Sequence, residues 1–268
     1  MKKLDYSQEN KKFLTRHKQK KIFILSVQIG ILVVLLGLWE ILAHFNLINT
    51  LIFSSPSRIL STIQDLYASG DLFYHIGITL YETVLGFLIA VLLGCLIAIL
   101  LWWSENLRKI LDPYIVVLNS LPKIALGPIV IIWFGSGMQS IIAICVLITI
   151  IITIISMLNA FRGCSNDKIL LMKSMGANKF QILTKLILPA SLPQFVSVLK
   201  ISIGMSWVGS IMGEYLVSSA GLGYLIVYGS QVFKLDLVMA STLILCILAG
   251  IMYMLVAMLE KFVNKKLS

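Results

Sequence analysis

The sequence predicts an all-α integral membrane protein with six transmembrane helices. Of its 268 residues, 59% are apolar and only 13% are charged, and the mean hydropathy is +0.96. Such a composition provides too few charged side chains to solvate a water-soluble globule of this size. A helix needs about 20 consecutive apolar residues to cross a hydrocarbon layer about 30 Å thick, because it rises about 1.5 Å per residue. Several charge-poor runs in the chain satisfy this requirement.

These charge-poor runs predict where each span lies. The predicted spans cover residues 22–45, 79–103, 113–134, 138–160, 192–214 and 236–259. The uncharged run Ile22–Trp39 is longer than the apolar core of a signal peptide, and no small-residue cleavage site follows it, so we predict an uncleaved first span. Only a Gly-Ser-Gly turn at residues 135–137 separates the third run from the fourth, which predicts a tight external hairpin.

The placement of lysine and arginine predicts the orientation, because these residues accumulate in cytoplasmic loops. With the N-terminus inside, 18 of the 22 basic residues fall on the cytoplasmic side. Residues 1–21 are therefore predicted to be a basic cytoplasmic N-terminus, and residues 261–268 a cytoplasmic tail. Residues 46–78 then form an external connector. Within it, Pro56 and the following apolar spacing favour a short interfacial helix that ends at Gly70, with a simple connector as the alternative.

Residues 163–189 are amphipathic but too short and too charged to cross a membrane, so they are predicted to lie at the cytoplasmic surface. Asn166 and Asp167 are typical of a helix start, Gly176 and Asn178 of a left-handed turn, and Pro189 of a helix end. Two short helices joined at a corner are expected. Their apolar residues recur at three- and four-residue spacing, which is typical of a surface that contacts a partner or the lipid headgroups. These residues are Ile169, Leu170, Met172, Met175, Phe180, Ile182, Leu183 and Leu186.

The spacing of Gly176, nine residues, Leu186, one residue, Leu188 and Pro189 is similar to the EAA-loop signature of ABC importer permeases. Residues 188–226 (LPASLPQFVSVLKISIGMSWVGSIMGEYLVSSAGLGYLI) resemble permeases of the nitrate, sulfonate and taurine importer family, as do residues 70–101 and 121–137. The resemblance covers about residues 56–260. It implies the type I (MetI-like) permease fold, a permease core over residues 79–260 and a location in the bacterial cytoplasmic membrane.

The resemblance also implies partners and a mechanism. A second permease subunit, expected to be an identical copy, two ABC ATPase subunits and an extracytoplasmic binding protein would complete the transporter for a small anionic or organic solute. Residues 163–189 would form the coupling loop that docks on the ATPase. The positions that should read Glu-Ala-Ala are Leu170, Leu171 and Met172, so more apolar contacts are expected, with Asp167 as a partial substitute. The expected coupling residues are Asp167, Leu170, Leu171, Met172, Met175, Gly176, Ala177, Asn178, Phe180, Leu186, Leu188 and Pro189.

The third and fifth predicted spans contain candidates for a translocation pathway. Lys123 lies between Pro122 and Pro128, where prolines break helices and free backbone carbonyls; the alternative is a lysine that extends to the cytoplasmic interface. In the fifth span, small residues surround Trp207, which is similar to a pathway residue of the family, although close helix packing explains them equally well. The candidates from this span are Ser206, Trp207, Ser210 and Glu214.

Other functions are disfavoured by what the sequence lacks. No GxxxxGK[ST] phosphate loop occurs, so ATP and Mg²⁺ are expected on the separate ATPase, and no cofactor, metal or enzymatic activity is expected on this chain. The basic residues do not gather into a nucleic-acid-binding patch. The four cysteines are scattered, which indicates reduced, buried residues. A secondary carrier or channel remains the alternative function, but inverted repeats and ion-coupling carboxylates are not visible in the sequence.

Overall fold

The structure, a computed structural model, describes residues 6–267. Residues 1–5 and 268, which belong to the predicted basic N-terminus and the predicted tail, lie outside the described residues. Within the described range all regular elements are helices, as predicted. Five helices are long and apolar enough to cross a membrane, and a bent helix pair makes a sixth candidate.

The first half of the chain contains the first two long helices and the external connector. Helix α1 (Tyr6–His44) is followed by α2 (Thr50–Phe53), α3 (Pro56–Ala68) and α4 (Asp71–Trp103). The connector therefore contains the short helix predicted within it, as α3. It begins with Pro56 in its first turn and Ser55 as N-cap, and Gly70 follows it with a φ of +83°. A proline in the first turn needs no hydrogen-bond acceptor, so it favours this start.

The third predicted span, residues 113–134, is a broken helix, as its two prolines indicated. Helix α5 (Glu105–Ser120), a 3₁₀ turn (Lys123–Leu126) and α6 (Gly127–Phe134) bend by 91° at the break. Pro122 precedes the 3₁₀ turn, and Pro128 lies in the first turn of α6. Each proline lacks an N–H group and disfavours a helical conformation of the residue before it, so a continuous helix cannot form here.

The second half of the chain contains three further long helices, and the surface segment (residues 163–189) separates the first of them from the second. The elements are α7 (Met138–Arg162), α8 (Asn166–Ser174), α9 (Lys179–Ile182), a π-helical turn (Leu183–Ile187), α10 (Leu188–Val217), α11 (Leu222–Gln231) and α12 (Leu235–Leu267). Helix α11 is absent from the sequence-based predictions, because at ten residues it is too short to register as a span.

The prediction that a helix stops at Pro189 was wrong, because α9, the π turn and α10 form one continuous helical segment. Pro189 has no N–H group to donate to the carbonyl four residues earlier. The π turn accommodates this loss, since the Leu188 N–H donates to the Leu183 carbonyl five residues earlier. The surface segment is therefore joined to α10 without an intervening loop.

Helices α4, α7 and α10 pack together as the centre of the molecule, and α11 and α12 lie against α10. The central helices approach closely at Cys145 of α7. A Cβ atom at Gly86 of α4 would lie 2.4 Å from the Cys145 sulfur, and one at Gly209 of α10 would lie 2.6 Å from the Cys145 Cα. Small residues thus allow backbone contact in lipid, where helix association depends on close packing. The four cysteines are free as predicted, but only Cys145 is buried, whereas Cys95 and Cys164 are half-buried and Cys246 is exposed.

Ion pairs join α12 to other elements at both ends of the molecule. Arg58 of α3 donates to Asp236 at 2.7 Å, and this bond ties the connector to the start of α12. Near the other end, Lys200 of α10 lies 2.7 Å from Glu260. The two charges partly neutralise each other, so their placement in an apolar protein costs less than that of an isolated charge.

Candidate functional site

The corner of the surface segment is built by Gly176. Its φ is +79°, a left-handed conformation that glycine adopts without the steric penalty of a Cβ atom. The Ala177 N–H donates to the Met172 carbonyl at 2.9 Å, and the Gly176 N–H donates to the Lys173 carbonyl at the same distance. This pair of bonds satisfies the carbonyls at the end of α8. The left-handed turn predicted at Gly176 is therefore present.

Asn178 has a different role from the predicted one. Its φ of −77° is extended rather than left-handed, and the residue is the N-cap of α9. Its side chain accepts from the Gln181 N–H at 2.8 Å, and the Gln181 side chain accepts from the Asn178 N–H at 2.9 Å. This reciprocal capping box fixes the direction in which α9 leaves the corner.

The apolar residues of the surface segment divide into two groups rather than forming one face. One group packs inward against a buried cluster that includes Phe161, and it contains Ile169, Met172, Ala177, Leu186 and Leu188. The other group projects outward, with Leu170, Leu171, Met175 and Phe180 each more than 60% exposed. Asp167, in the first turn of α8, and Pro189 are also exposed. A pocket of about 370 Å³ lies at the corner, between Met175 and Lys185.

Lys179 connects the surface segment to the end of α4, a contact that the sequence analysis missed. Its ammonium group donates to the Trp103 carbonyl and lies 5.6 Å from the centre of the Trp103 ring. A cation over an indole face is attracted by the ring electrons. The positive charge also suits the C-terminal end of a helix, where carbonyls are unpaired. A lysine in a basic loop carries no sequence signal for such a contact.

The break between α5 and α6 positions Lys123. Its ammonium group donates to the Asn119 carbonyl at 3.1 Å, one of the carbonyls that the end of α5 leaves without a helical partner. Lys123 is half-buried, and Pro122 and Pro128 on either side are exposed. The structure therefore places these three predicted pathway residues at a bend and not inside a helix bundle.

The predicted pathway residues of α10 lie elsewhere, buried against neighbouring helices. Ser206 and Ser210 bond to α7 and α4. Glu214 contacts the start of α11, and Trp207 packs in a cluster with residues of α4, α11 and α12. Ser206, Ser210 and Glu214 are at most 1% exposed and Trp207 is 4% exposed. The Trp207 indole N–H has no acceptor among the described residues. Within this chain these four side chains are therefore buried in helix contacts.

A row of polar side chains on α10 recurs every four residues and bonds to the neighbouring helices. The bonds are Ser202 to Thr153 at 2.9 Å, Ser206 to Thr149 at 3.2 Å and Ser210 to Thr83 at 2.6 Å. The four-residue spacing from Ser202 to Glu214 was visible in the sequence, because such residues share one helix face. Their threonine partners on α4 and α7 were missed, since single threonines in apolar runs carry no distinctive signal.

Glu214 lies at the end of this row and contacts the start of α11. Four successive backbone N–H groups at this start cannot be satisfied within α11 itself. Side chains of α4 and α10 accept from all four. The bonds are Gly221 to His75 Nδ1 at 2.9 Å, Leu222 to Thr79 Oγ1 at 2.8 Å, and Gly223 and Tyr224 to Glu214 Oε2 at 2.6 Å and 3.3 Å.

Glu82 of α4 completes this group, and its buried carboxyl group lies next to that of Glu214. Glu82 lies eleven residues after the first residue of α4 and is 1% exposed. Within residues 6–267, no group of three or more His, Cys, Asp or Glu side chains could hold a metal ion.

The sequence matches a known protein family and several named relatives. A family model described as binding-protein-dependent transport system inner membrane component matches residues 90–268. The taurine transport system permease protein TauC of Escherichia coli is 29% identical over 229 residues, which cover 84% of this chain and 83% of TauC. The formylaminopyrimidine transport permease protein ThiX of Halalkalibacterium halodurans is 31% identical over 191 residues, 71% of this chain and 75% of ThiX.

Solved structures share the fold. A chain of the inward-facing MetNI methionine ABC transporter superposes with a TM-score of 0.65 at 21% identity, covering 72% of this chain and 95% of that one. A chain of a bacterial ABC transporter involved in alginate import superposes with a TM-score of 0.60 at 15% identity, covering 92% and 98%. The MetI-like fold implied by the sequence resemblance is confirmed.

Proposed function

The chain belongs to the family of binding-protein-dependent transport system inner membrane components, and from this premise we propose that two copies of it form the path for a small solute delivered by an extracytoplasmic binding protein. The chain is a multi-pass permease subunit of an ABC importer in the inner membrane. It is not an enzyme, because its relatives are permease subunits and the ATPase is a separate chain. These findings disfavour the secondary carrier or channel.

The corner at Gly176 is the observation that carries the proposed coupling mechanism. Leu170, Leu171, Met175 and Phe180 project from the corner and are more than 60% exposed. Because two of these positions stand where the family has Glu-Ala-Ala, an apolar groove on each ATPase subunit is their proposed binding site. Burial of such side chains on docking provides about 25 cal/mol for each Å² of apolar area.

The continuous helical segment supports transmission of force from this corner to the centre of the molecule. A movement of the corner displaces α9, and α9 continues through the π turn into α10. Helix α10 in turn bonds to α4 and α7 through the row of polar side chains. We infer that closure of the ATPase dimer moves α4, α7 and α10 together, with α10 leading.

The solute path is proposed to run past the break between α5 and α6. Lys123 presents a positive charge there, which favours an anionic solute such as a sulfonate or an organic acid. The relatives include transport permeases for taurine, formylaminopyrimidine and nitrate, so the fold accepts several small solutes. Ser206, Trp207, Ser210 and Glu214 would act as the scaffold behind the path rather than as its lining.

The assembled transporter would place this chain in contact with a second permease copy, two ATPase subunits and membrane lipid. Exposed Ile132 and Trp133 on α6, at 80% and 74%, support a contact with the second permease copy beside the path. The chain would hold no cofactor, with ATP and Mg²⁺ on the two ATPase subunits. Membrane lipid would surround α1, whose apolar residues are exposed along the helix. Both termini are proposed to be cytoplasmic.

Substitution of Gly176 tests the coupling proposal. No atom lies within 4 Å of a Cβ atom built at this position, so only the positive φ opposes a larger residue. Gly176→Val should cost about 1–2 kcal/mol at the corner, and Gly176→Asn serves as the matched control because asparagine tolerates this conformation. We expect the valine variant to insert into the membrane but to lose the ATPase on purification or to hydrolyse ATP without uptake. Normal ATPase binding and transport by this variant would show that the segment is a lipid-surface helix.

A further inference from the structure

The contact between Glu214 and α11 is unusually close for a carboxyl group and a backbone. A Cβ atom at Gly221 would lie 2.4 Å from Glu214 Oε2, and one at Gly223 would lie 2.8 Å from the same oxygen. Both distances are shorter than van der Waals contact allows, so any side chain here would displace the carboxyl group. The two glycines therefore let Glu214 reach the N–H groups of Gly223 and Tyr224 directly.

The second carboxyl group here, that of Glu82, is buried without a positively charged partner among the described residues. Glu82 and Glu214 are each 1% exposed, and the four ion pairs among the described residues all lie elsewhere. Glu82 Oε2 and Glu214 Oε1 each lack a hydrogen-bond donor within the described part of the chain. Two buried carboxylates in contact repel each other strongly, since low-dielectric surroundings screen them poorly.

One proton shared by the two carboxyl groups would remove this repulsion. A carboxyl–carboxylate hydrogen bond requires one group to be the donor, and one proton between the groups supplies it while leaving one negative charge. That charge lies at the N-terminal end of α11, where the helix dipole and the free N–H groups stabilise an anion. We propose that Glu82 and Glu214 form a proton-binding site whose shared proton keeps the start of α11 docked against α4 and α10.

The sign of the pH dependence follows from linkage. The docked state holds a proton that two separately solvated carboxylates would release, so docking is favoured at lower pH and lost as pH rises. His75 acts in the opposite sense, because protonation of Nδ1 would remove the acceptor for the Gly221 N–H. Docking should therefore be strongest between an acidic limit set by His75 and an alkaline limit set by the carboxyl pair.

Other titratable groups around the pair come from each packed element. They are Asp71 near His75 on α4, Cys145 on α7, Tyr215 on α10 and Tyr224 on α11. On α12, which packs against α11, Asp236 is occupied by Arg58 and Ser54. None of these groups forms a carboxyl–carboxyl contact, so the alkaline limit is assigned to Glu82 and Glu214.

Hydrogen exchange measures this docking directly, because the bonded groups are backbone amides. The permease, assembled with its ATPase in lipid nanodiscs without solute or ATP, is followed from about pH 6 to about pH 10, with rates corrected for the intrinsic effect of pH. We expect the protection of amides 221–224 to fall by about fivefold at the alkaline end, which is the typical effect of losing a helix cap. Because the readout needs no transport, it can fail or succeed independently of the proposed function.

Two isosteric variants test whether Glu82 and Glu214 cause the alkaline loss of amide protection. Glu82→Gln and Glu214→Gln each leave one ionisable group and supply a permanent amide donor, so either variant should remove the alkaline loss of protection. The matched control is Glu40→Gln, since Glu40 also accepts from the first turn of a helix, at Ser57 N (3.0 Å), but is half-buried and has Ser57 and His44 beside it instead of a second carboxyl group. This control should keep the wild-type profile.

Three results would overturn the proposal. One is wild-type protection of amides 221–224 that does not change with pH. Another is an alkaline loss that persists unchanged in both glutamine variants, which would assign it to a different group. The last is protection that depends on added Na⁺ or Ca²⁺ instead of pH, which would make the carboxyl pair a cation site.

Discussion

Replacement of Gly209 by alanine should separate α10 from α7. The added Cβ atom would lie 2.6 Å from the Cys145 Cα, and an ordinary contact requires at least 3.4 Å, so the helices must move apart by about 0.8 Å. Backbone atoms cannot turn aside as a flexible side chain can. The Ser206–Thr149 bond, 3.2 Å long and one turn away, would then exceed hydrogen-bond distance.

The expected magnitude combines two contributions. Overpacking of a close-packed interior costs about 1–3 kcal/mol, and loss of an interhelical bond in a membrane adds about 0.6 kcal/mol. Gly204→Ala is the matched control on the same helix, because no atom lies within 4 Å of its added Cβ. This control should gain up to about 1 kcal/mol from helix propensity.

Thermal unfolding of the purified variants, followed by size-exclusion chromatography with fluorescence detection, compares the two substitutions. One kcal/mol corresponds to about 2–4 °C in a chain of this size, so Gly209→Ala should unfold several degrees below the wild type, and Gly204→Ala at or above it. Equal melting temperatures for the two variants would refute the close helix contact at Cys145.

Three further predictions concern the path, the coupling and the orientation. Lys123→Ala should slow uptake of an anionic solute in vesicles, with the ATPase still bound and active, whereas unchanged uptake kinetics would remove Lys123 from the path. Lys179→Ala should uncouple ATP hydrolysis from uptake by about twofold to fivefold, because it frees α9 from Trp103 at a cost of about 0.5–1 kcal/mol; Lys179→Arg should retain most coupling. Reporter fusions after Ser136 and after Asn178 should appear outside and inside respectively, and the reverse pattern would reject the proposed orientation.

Features that depend on local composition were predictable from the sequence. Span positions follow from the apolar runs, since a helix in lipid must satisfy its own backbone and present apolar side chains. The Gly176 corner was predictable as well, because a left-handed turn between two short amphipathic helices leaves a glycine in the sequence. The prolines gave two different outcomes. The helix break at Pro122 and Pro128 was predicted from the sequence, whereas Pro189 lies inside a continuous helical segment where a helix end was predicted, because a π turn accommodates it.

The sequence by itself determined the membrane class, the approximate spans, the surface segment and the family, because these depend on composition and on short-range spacing. Only the tertiary structure decided which residues meet across helices. Thr83 and Ser210 are 127 positions apart yet lie 2.6 Å from each other, and Glu82 meets Glu214 at the start of α11. Such pairings depend on how the packed helices are rotated and how far apart they lie, and close contacts at glycines fix both. This geometry cannot be predicted from a single sequence.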